Sequence, residues 1–261
     1  MSIKTVILCG GKGTRLREET EYRPKPMVDV GGRPILWHIM KIYAHHGFAN
    51  FVLCLGYRGN MIKEYFLNYD AMSNDFTISL GNRQQITYHS AHTEQNFNVT
   101  LADTGLETMT GSRVKQIENY IDSDLFMVTY GDGLSDINIQ ELVEFHRSHG
   151  KLATVTAVQP ISRFGTLRMD EVNNLVGRFM EKPQFHDWIS AGFFVFDRRV
   201  FDYVDMSPTC VLEREPLERL AVESQLVAYK HTGFFYAMDT YREYLYLNEL
   251  WSNGEAPWKV W

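Results

Sequence analysis

Strand and helix patterns alternate along the first half of the chain and predict an α/β fold. The expected architecture is a Rossmann-like mixed, mostly parallel sheet flanked by helices, with small antiparallel β insertions. The apolar runs Thr5–Cys9, Phe51–Leu55 and Leu125–Tyr130 are typical of buried strands. Apolar residues at helical spacing in Ile35–His46 predict a helix between the first two strands. A β-rich, less regular region is expected at about Phe76–Ala102, and a hairpin is expected over Arg163–Gly177.

Helix-end signals and apolar runs place the remaining elements. Asn138 and Glu141 form a capping-box pair that begins a helix, and Gly150 ends it. Thr240 and Glu243 mark the start of the closing helix in the same way. The other predicted elements are helices at Asn60–Asn68, Ser112–Tyr120 and Arg198–Val204, and strands at Ala153–Ala157, Gly192–Phe196, Leu226–Lys230 and Phe234–Ala237.

Composition limits the class of protein. With 261 residues, 44% of them hydrophobic, the chain can bury a large core. It shows no repeat or flexible linker, so we predict one domain over residues 1–261, with a closing lobe from about residue 150. A net charge of −6 argues against wrapping nucleic acid.

Cysteine usage and the absence of long apolar runs indicate the compartment. Three widely spaced cysteines without a C-x-x-C pair argue against a disulfide framework and a structural zinc site. No apolar run is long enough for a membrane span, and the N-terminus lacks a signal-peptide pattern. We therefore expect a cytoplasmic protein that does not bind membranes.

The segment after the first strand is rich in glycine, with Gly10, Gly11 and Gly13 before Arg15. Glycines let backbone N–H groups approach an anion closely, so a phosphate cradle is predicted, although a purely structural turn has the same pattern. A Walker A loop needs G-x-x-x-x-G-K-[ST], which is not present. The dinucleotide fingerprint needs Gly or Ala at position 16, where this chain has Leu16.

Two prolines flank Lys25 in the run Y-R-P-K-P-M at positions 22–27. Proline fixes φ at positions 24 and 26, and a residue that precedes proline is itself restricted. The sequence therefore predicts that Lys25 is held in place, across a loop that begins near Arg15.

Two aspartates are predicted at the carboxyl ends of strands. Asp132 follows the strand L-F-M-V-T-Y, and Asp239 follows the strand F-F-Y-A-M. Open α/β sheets bind ligands at this edge, and Mg²⁺ on nucleotide phosphates uses one or two carboxylates. Each aspartate alone also fits a turn or a helix cap. A shared metal site requires Asp132 and Asp239 to lie within about 10 Å of each other.

Together these motifs resemble those of the sugar nucleotidyltransferases, whose signature is approximately G-G-x-G-T-R-L followed by P-K-P-M. This chain has the first motif at Gly10–Leu16 and the second at Pro24–Met27. The resemblance implies transfer of a nucleoside monophosphate from an NTP to a sugar 1-phosphate, with release of pyrophosphate. It implies that Arg15 neutralises the triphosphate and that Lys25 contacts phosphates at the reacting centre.

The same resemblance implies a cofactor and two further sets of binding residues. Mg²⁺ is the implied cofactor, ligated by Asp132 and Asp239. The nucleotide-binding set is Leu8, Gly10, Gly11, Gly13, Thr14, Gly111, Arg113 and Asp132. The sugar-phosphate set lies in the closing lobe and is Gly165, Glu181, Lys182, Ser190 and Gly192. For Arg113 a surface salt bridge, and for Glu181 and Lys182 a solvated pair, are the alternative interpretations.

Further segments resemble the glucose-1-phosphate cytidylyltransferase branch, namely N-V-T-L-A-D-T-G at 98–105, T-G-S-R at 110–113 and A-P-W-K at 256–259. This likeness implies CTP as the nucleotide, with Arg113 hydrogen-bonded to cytosine and Gly111 allowing close approach of the backbone. The expected product is CDP-glucose. One departure is the triplet S-A-G at 190–192, where relatives that make CDP-glucose are expected to have N-G-G.

That departure leaves the sugar open. A different sugar or acceptor phosphate, or dTTP, UTP or GTP as the nucleotide, are the alternatives within the same chemistry. A non-catalytic nucleotide-sugar sensor is a further alternative, although a pure binder has no use for the full phosphate and metal set. The expected partners are small-molecule substrates and further copies of the chain, because the aromatic tail Tyr241–Trp261 would suit burial against another subunit or against its own core.

Overall fold

The computed structural model describes residues 2–160, 164–170, 172–181, 184 and 187–261. The strands in these ranges are β1 (Lys4–Leu8), β2 (Asp29–Val30), β3 (Arg33–Pro34), β4 (Asn50–Leu55), β5 (Phe76–Ser79), β6 (Asn82–Tyr88), β7 (Asn98–Asp103), β8 (Leu125–Tyr130), β9 (Gly133–Ser135), β10 (Ala153–Val158), β11 (Thr166–Met169), β12 (Val176–Met180), β13 (Ile189–Asp197), β14 (Leu226–Lys230) and β15 (Phe235–Ala237). The α-helices are α1 (Arg17–Thr20), α2 (Ile35–His45), α3 (Gly59–Leu67), α4 (Tyr69–Ser73), α5 (Thr110–Gln116), α6 (Ile139–His149), α7 (Glu215–Val222) and α8 (Tyr241–Ser252). Short 3₁₀ helices cover Lys25–Met27, Glu118–Tyr120 and Arg198–Tyr203.

A seven-stranded sheet, in the order β14-β10-β13-β8-β1-β4-β7, runs through the described part of the chain. Its neighbouring strands are parallel, except that β13 runs antiparallel to β8 and to β10. The pairs β2–β3, β5–β6, β9–β15 and β11–β12 form small antiparallel sheets. The predicted fold class is confirmed.

Strand β1 lies where the chain changes direction across the sheet. From β1 the chain passes to β4 and β7 on one side, and it then returns to β8 on the other side. Ligands of open α/β sheets bind beside the carboxyl ends of strands at such a point. Leu8 and Tyr130, the last residues of β1 and β8, are paired in register. The glycine-rich loop, which follows β1, and Asp132, which follows β8, therefore lie at the same edge of the sheet.

Alternating side chains of the central strands build two cores, one on each face of the sheet. Ile7 packs in a cluster with residues of α2, α6 and α8, whereas Val6 and Leu8 pack in a cluster with residues of α5 and α7. Successive side chains of a strand point to opposite faces, so one apolar run supplies both layers. Each fully buried Val, Leu, Ile or Phe contributes about 1.5–3 kcal/mol.

The predicted helix boundaries are confirmed where capping signals exist. The Asn138 side chain accepts hydrogen bonds from the backbone N–H groups of Gln140 and Glu141, and Gly150 takes a left-handed conformation with φ of 65°. At α8 the capping box of Thr240 and Glu243 is present.

Elements without such signals differ from the prediction. Segment Arg198–Tyr203 is a 3₁₀ helix, and the predicted helix at Ser112–Tyr120 starts at Thr110 and ends in a 3₁₀ turn. Helix α7 was not predicted, because it has only 8 residues. Its few buried residues, such as Leu217 and Leu220, do not repeat often enough to show a helical period. The predicted hairpin is β11–β12, and Arg163 lies outside the described residues.

The cysteines are free thiols, as predicted, with Cys9 and Cys54 buried. Burial raises the pKa of Cys54 to about 12, so this thiol stays protonated and behaves as a small core residue. None of the helices in the described ranges combines the length and the apolar character needed to cross a bilayer.

The tryptophans of the aromatic tail pack on the chain's own core around His38, whereas Tyr241 and Tyr246 of the tail are exposed. The rings of Trp37, Trp251 and Trp258 lie 4.7–6.2 Å from the His38 ring, and Trp258 is fully buried. Trp258 Nε1 donates to His38 Nδ1 at 3.3 Å, and His38 Nε2 lies 2.8 Å from Val30 O. Both contacts are satisfied by the neutral ring with its proton on Nε2, and burial lowers the pKa of His38 to about 4.

This buried histidine predicts a loss of stability in acid. The unfolded chain protonates His38 near its ordinary pKa of about 6.5, while the folded chain resists protonation down to about pH 4. The stabilising contribution is therefore complete above pH 6.5 and is lost as the pH falls from about 6.5 to about 4. Between pH 7.5 and pH 5 we expect wild type to lose about 2 kcal/mol more free energy of unfolding than His38→Gln. Urea denaturation at both pH values checks this, and equal losses in the two proteins would contradict it.

Candidate active site

The loop after β1 is fixed at both ends and open in the middle. Cys9 N donates to Cys54 O at 3.0 Å, and the Thr20 hydroxyl donates to Gly13 O at 2.9 Å. Gly13 has a φ of +62°, and a Cβ there would come within 2.8 Å of Thr20. At Gly11, by contrast, a Cβ would meet no heavy atom within 4 Å. The backbone at Gly11 is thus open to a ligand.

A cleft of about 300 Å³ lies beside this loop, at the lower end of the size range of small-molecule sites. Its lining includes both predicted catalytic residues and all but one of the predicted nucleotide-binding residues: Leu8, Gly10, Gly11, Gly13, Thr14, Arg15, Lys25, Arg113 and Asp132. The exception is Gly111, although its neighbour Thr110 lines the cleft.

Pairing of two short strands brings Asp132 and Asp239 together. Strands β9 and β15 are antiparallel, with Gly133 opposite Ala237. Met238 N donates to Asp132 O at 2.9 Å and extends this ladder. Each aspartate directly flanks the ladder, so two residues distant in sequence lie side by side. Asp132 lines the cleft, whereas Asp239 is outside its described lining.

The Lys25 ammonium lies between these two carboxylates. Its Nζ is 2.5 Å from Asp132 Oδ2 and 2.8 Å from Asp239 Oδ1. Arg15 Nη1 binds the other oxygen of Asp239, Oδ2, at 2.9 Å. Since one nitrogen contacts both carboxylates, they lie far closer than the predicted limit of about 10 Å.

A 3₁₀ turn positions the lysine. Met27 N donates to Pro24 O at 2.8 Å, and Val28 N donates to Lys25 O at 3.1 Å. The Lys25 side chain is only 11% exposed, whereas that of Arg15 is 71% exposed at the edge of the cleft. Burial disfavours the charged ammonium, but the ion pairs with Asp132 and Asp239 outweigh it and raise the pKa of Lys25. Lys25 is therefore cationic at neutral pH.

The carboxylate pair fits a divalent cation whose remaining ligands come from a bound substrate and from water. Carboxylate oxygens suit Mg²⁺, which keeps several waters and uses substrate phosphates as further ligands. Within the described ranges, no group of three or more His, Cys, Asp or Glu side chains is arranged to hold a metal ion. Two carboxylates beside a cleft are thus a ligand set that a nucleotide would have to complete.

Arg113 is buried behind the glycine-rich loop. Its Nη1 donates to Leu55 O at 2.9 Å and to the Thr104 hydroxyl at 2.8 Å, and its Nη2 donates to Gly10 O at 3.3 Å. A Cβ at Gly10 would lie 2.1 Å from Nη1, and one at Gly56 would lie 2.7 Å from it. These glycines therefore make room for the guanidinium. Sequence reasoning assigned Arg113 to the base and did not anticipate this structural role.

Gly111 is required for packing. A Cβ there would come within 2.6 Å of Cys210 Sγ and 3.0 Å of Cys210 O. Gly111 N also donates to Cys210 O at 3.0 Å. The segment around Cys210 thus lies directly against the start of α5.

The predicted sugar-phosphate residues lie outside the described lining of this cleft. Gly192 has a φ of +76°, and a Cβ there would lie 2.2 Å from the Tyr130 ring, which does line the cleft. Gly165 lies at the start of the β11–β12 hairpin, where a Cβ would approach Phe179 and Glu181. Ser190 Oγ accepts a hydrogen bond from Gly192 N at 3.3 Å. Lys182 lies outside the described residues.

Sequence reasoning missed two acidic residues that support the site. Glu243 Oε2 accepts from Asp239 N at 2.7 Å and from Thr240 N at 2.6 Å, so it fixes the backbone of Asp239. Its capping-box position was the available signal. Glu213 binds the hydroxyls of Tyr130 and Thr110, both in the cleft wall. No motif marks Glu213.

The fold and this cleft define an open α/β protein with a glycine-rich loop at its switch point and two aspartates at neighbouring strand ends. The sequence profile of the family described as "Nucleotidyl transferase" matches residues 4–240, and the chain belongs to that family.

Two bacterial relatives match over their whole length. Glucose-1-phosphate cytidylyltransferase of Salmonella typhi is 47% identical, with 99% of this chain and 100% of the relative covered. A probable glucose-1-phosphate cytidylyltransferase of Bacillus subtilis (strain 168) is 43% identical with the same coverage. The crystal structure of HddC from Yersinia pseudotuberculosis complexed with GMP-PN is 21% identical and superposes with a TM-score of 0.69, covering 95% of this chain and 99% of that chain. At that identity the structural likeness concerns the fold.

The two adjacent glycines of the loop give a matched test of its packing. Gly10→Ala would push a Cβ into the bound Arg113 guanidinium, so we expect a loss of about 1–3 kcal/mol in the free energy of unfolding. Gly11→Ala meets no neighbour and should stay within about 0.5 kcal/mol of wild type. Urea denaturation of the three proteins decides this, and equal stabilities of the two variants would show that Arg113 moves aside freely.

Proposed function

We propose that this protein transfers the cytidylyl group of CTP to glucose 1-phosphate, forming CDP-glucose and pyrophosphate. The observation that carries the proposal is the convergence of Arg15, Lys25, Asp132 and Asp239 beside the glycine-rich loop. Similarity over the full length to glucose-1-phosphate cytidylyltransferases supports the choice of nucleotide and sugar.

In the proposed site, Asp132 and Asp239 hold Mg²⁺. When bound, this ion neutralises charge that develops on the phosphates. Lysine has three N–H donors, and two bonds of Lys25 go to the carboxylates, so one donor remains for a phosphate oxygen. Arg15, exposed at the edge of the cleft, can turn to the triphosphate without loss of packing. The loop residues Gly11 and Thr14 line the same cleft, and their backbone would face the phosphates.

The proposed reaction needs no general base. A sugar phosphate is already ionised at neutral pH, and one of its oxygens attacks the α-phosphorus of CTP in line with the leaving pyrophosphate. Catalysis then comes from alignment of the two substrates and from neutralisation of charge by Lys25 and Arg15.

For the base, we propose that Arg113 and the backbone near Gly111 contact cytosine. Among the described residues, the hydrogen bonds of Arg113 to protein use Nη1 and Nη2, and we propose the Nε–H as the donor to a base acceptor. Its position in the cleft lining supports this role. The guanidinium is held by backbone carbonyls, so the base would meet a rigid donor.

For the sugar phosphate, we propose Gly165, Glu181, Lys182, Ser190 and Gly192, in the lobe formed by residues 150–261. Contact of Gly192 with the Tyr130 ring supports the proximity of this lobe to the cleft. Ser190 offers a short hydroxyl where an amide was expected, so a different sugar remains the alternative.

We also propose a cytoplasmic homo-oligomer in which residues 1–261 form one domain. Support for assembly comes from exposed apolar pairs on two hairpins, such as Phe76 opposite Tyr88 and Leu167 opposite Phe179. Within the aromatic tail, Trp258 is buried in the chain's own core, and of the aromatic side chains only Tyr241 and Tyr246 are exposed enough to contact another subunit.

A substrate panel tests the proposed function. Pyrophosphate release is measured with CTP, dTTP, UTP and GTP, each with several sugar 1-phosphates, with Mg²⁺ and after its removal by a chelator. We expect turnover with CTP and glucose 1-phosphate that is abolished by the chelator. Preference for another NTP or sugar would redirect the assignment, and no turnover with any pair would refute it.

Replacement of Lys25 tests its role in the chemistry. We expect Lys25→Ala to lower kcat about 10²- to 10³-fold, because a charge-assisted contact to the reacting phosphates is lost. Lys63→Ala, which removes an exposed ion pair with Asp103, serves as the control and should keep wild-type turnover. Circular dichroism confirms folding, and near wild-type kcat in a folded Lys25→Ala would exclude the role.

A further inference from the structure

The Glu213 carboxylate joins two walls of the cleft. Its Oε1 accepts a hydrogen bond from the Tyr130 hydroxyl, and its Oε2 accepts one from the Thr110 hydroxyl at 2.7 Å. Tyr130 and Thr110 both line the cleft, while Glu213 belongs to the loop before α7. We refer to these three side chains, Glu213, Tyr130 and Thr110, as the clasp.

On one side, the clasp is anchored to the start of α5, which carries Arg113. The segment before Glu213 runs along this helix end: Met109 N donates to Pro208 O at 2.9 Å, and Leu212 N donates to the Thr110 hydroxyl oxygen at 3.0 Å. The Thr110 hydroxyl thus accepts from Leu212 and donates to Glu213. This is the wall assigned above to the base.

On the other side, the clasp is anchored to the end of β8. Tyr130 is paired with Leu8 and lies two residues before Asp132. Its ring fills the space that a Cβ at Gly192 would need. The Tyr130 hydroxyl donates a hydrogen bond to the Glu213 carboxylate. Tyr130 therefore connects the proposed metal and sugar positions.

We propose that Glu213 is a positioning residue that sets the spacing between two walls of the cleft, the start of α5, which carries Arg113, and the end of β8, which carries Tyr130. The inference rests on the proposed function, since it matters only if two substrates must align. Glu213 acts through Tyr130 and Thr110. In-line attack depends on alignment of the reacting atoms, and a displacement of about 1 Å can cost about 10²-fold in rate.

The clasp can be removed without opening the core. Glu213 is exposed, and its partners Tyr130 and Thr110 are held by the backbone of β8 and α5. Hydrogen bonds to a carboxylate that is exposed to water contribute little to the stability of a fold. Loss of the Glu213 carboxylate is therefore expected to change the width of the cleft more than the stability of the fold.

The test compares Glu213→Ala, Glu213→Gln, Tyr130→Phe and the double variant Glu213→Ala/Tyr130→Phe with wild type. Glu218→Gln, an exposed carboxylate on the adjacent helix α7, is the control. We measure kcat and KM for the preferred substrate pair, the Kd for the nucleotide alone, and Tm.

We expect Glu213→Ala to lower kcat about 10- to 100-fold while the nucleotide Kd changes less than about threefold. Glu213→Gln should fall between wild type and Glu213→Ala, because its amide oxygen can still accept one of the two bonds. The double variant should be no slower than Glu213→Ala within about twofold, since both changes break one interaction.

Each contrary outcome has a distinct meaning. If wild type turns over but Glu213→Ala matches it, the inference is overturned and the proposed function stands. If the Kd for the nucleotide rises by the same factor by which kcat falls, Glu213 has a binding role and the inference is overturned. The inference is also overturned if the double variant loses kcat by the product of the two single losses, or if the losses of kcat across the variants follow their losses of Tm. A wild type that releases pyrophosphate with no pair of substrates overturns the proposed function itself.

Discussion

The buried ammonium of Lys25, held between two carboxylates, is the interaction on which the candidate site depends. Burying a single charge costs several kcal/mol, and two neighbouring carboxylates repel each other. Lys25 offsets both costs through its bonds to Asp132 and Asp239, and Arg15 completes a cluster of two negative and two positive groups. A cluster without net charge can stay assembled until a nucleotide and a cation redistribute its bonds.

The rest of the fold serves this cluster by fixing the backbones that supply it. Register between β1 and β8 sets the glycine-rich loop beside Asp132, and the β9–β15 ladder brings Asp239 to the same edge. Arg113 ties the loop to the end of β4 through Gly10 O and Leu55 O. Positions 10 and 56 suit glycine, because the Arg113 guanidinium occupies the space that a Cβ would need at Gly10 and at Gly56. The loop is therefore rigid at its base and open at Gly11.

Sequence patterns predicted most of the central sheet and the ends of the capped helices. These features are local: an apolar run marks a buried strand, and a side-chain cap marks a helix start within four residues. Helix α7 and the 3₁₀ form of Arg198–Tyr203 were missed, because short segments carry little periodic signal. Motifs also located the cleft, since nine predicted residues line it. Glu213 escaped prediction because its partners lie 83 and 103 positions away.

The sequence by itself determined which glycine, basic and acidic residues the candidate site contains, because motif spacing and the flanking prolines act over a few bonds. Only the tertiary structure decided what those residues touch. Gly111 makes room for Cys210, Arg113 binds backbone carbonyls, and Lys25 bridges two strand ends. Each of these contacts depends on strand register and on packing between segments distant along the chain, which no local pattern encodes.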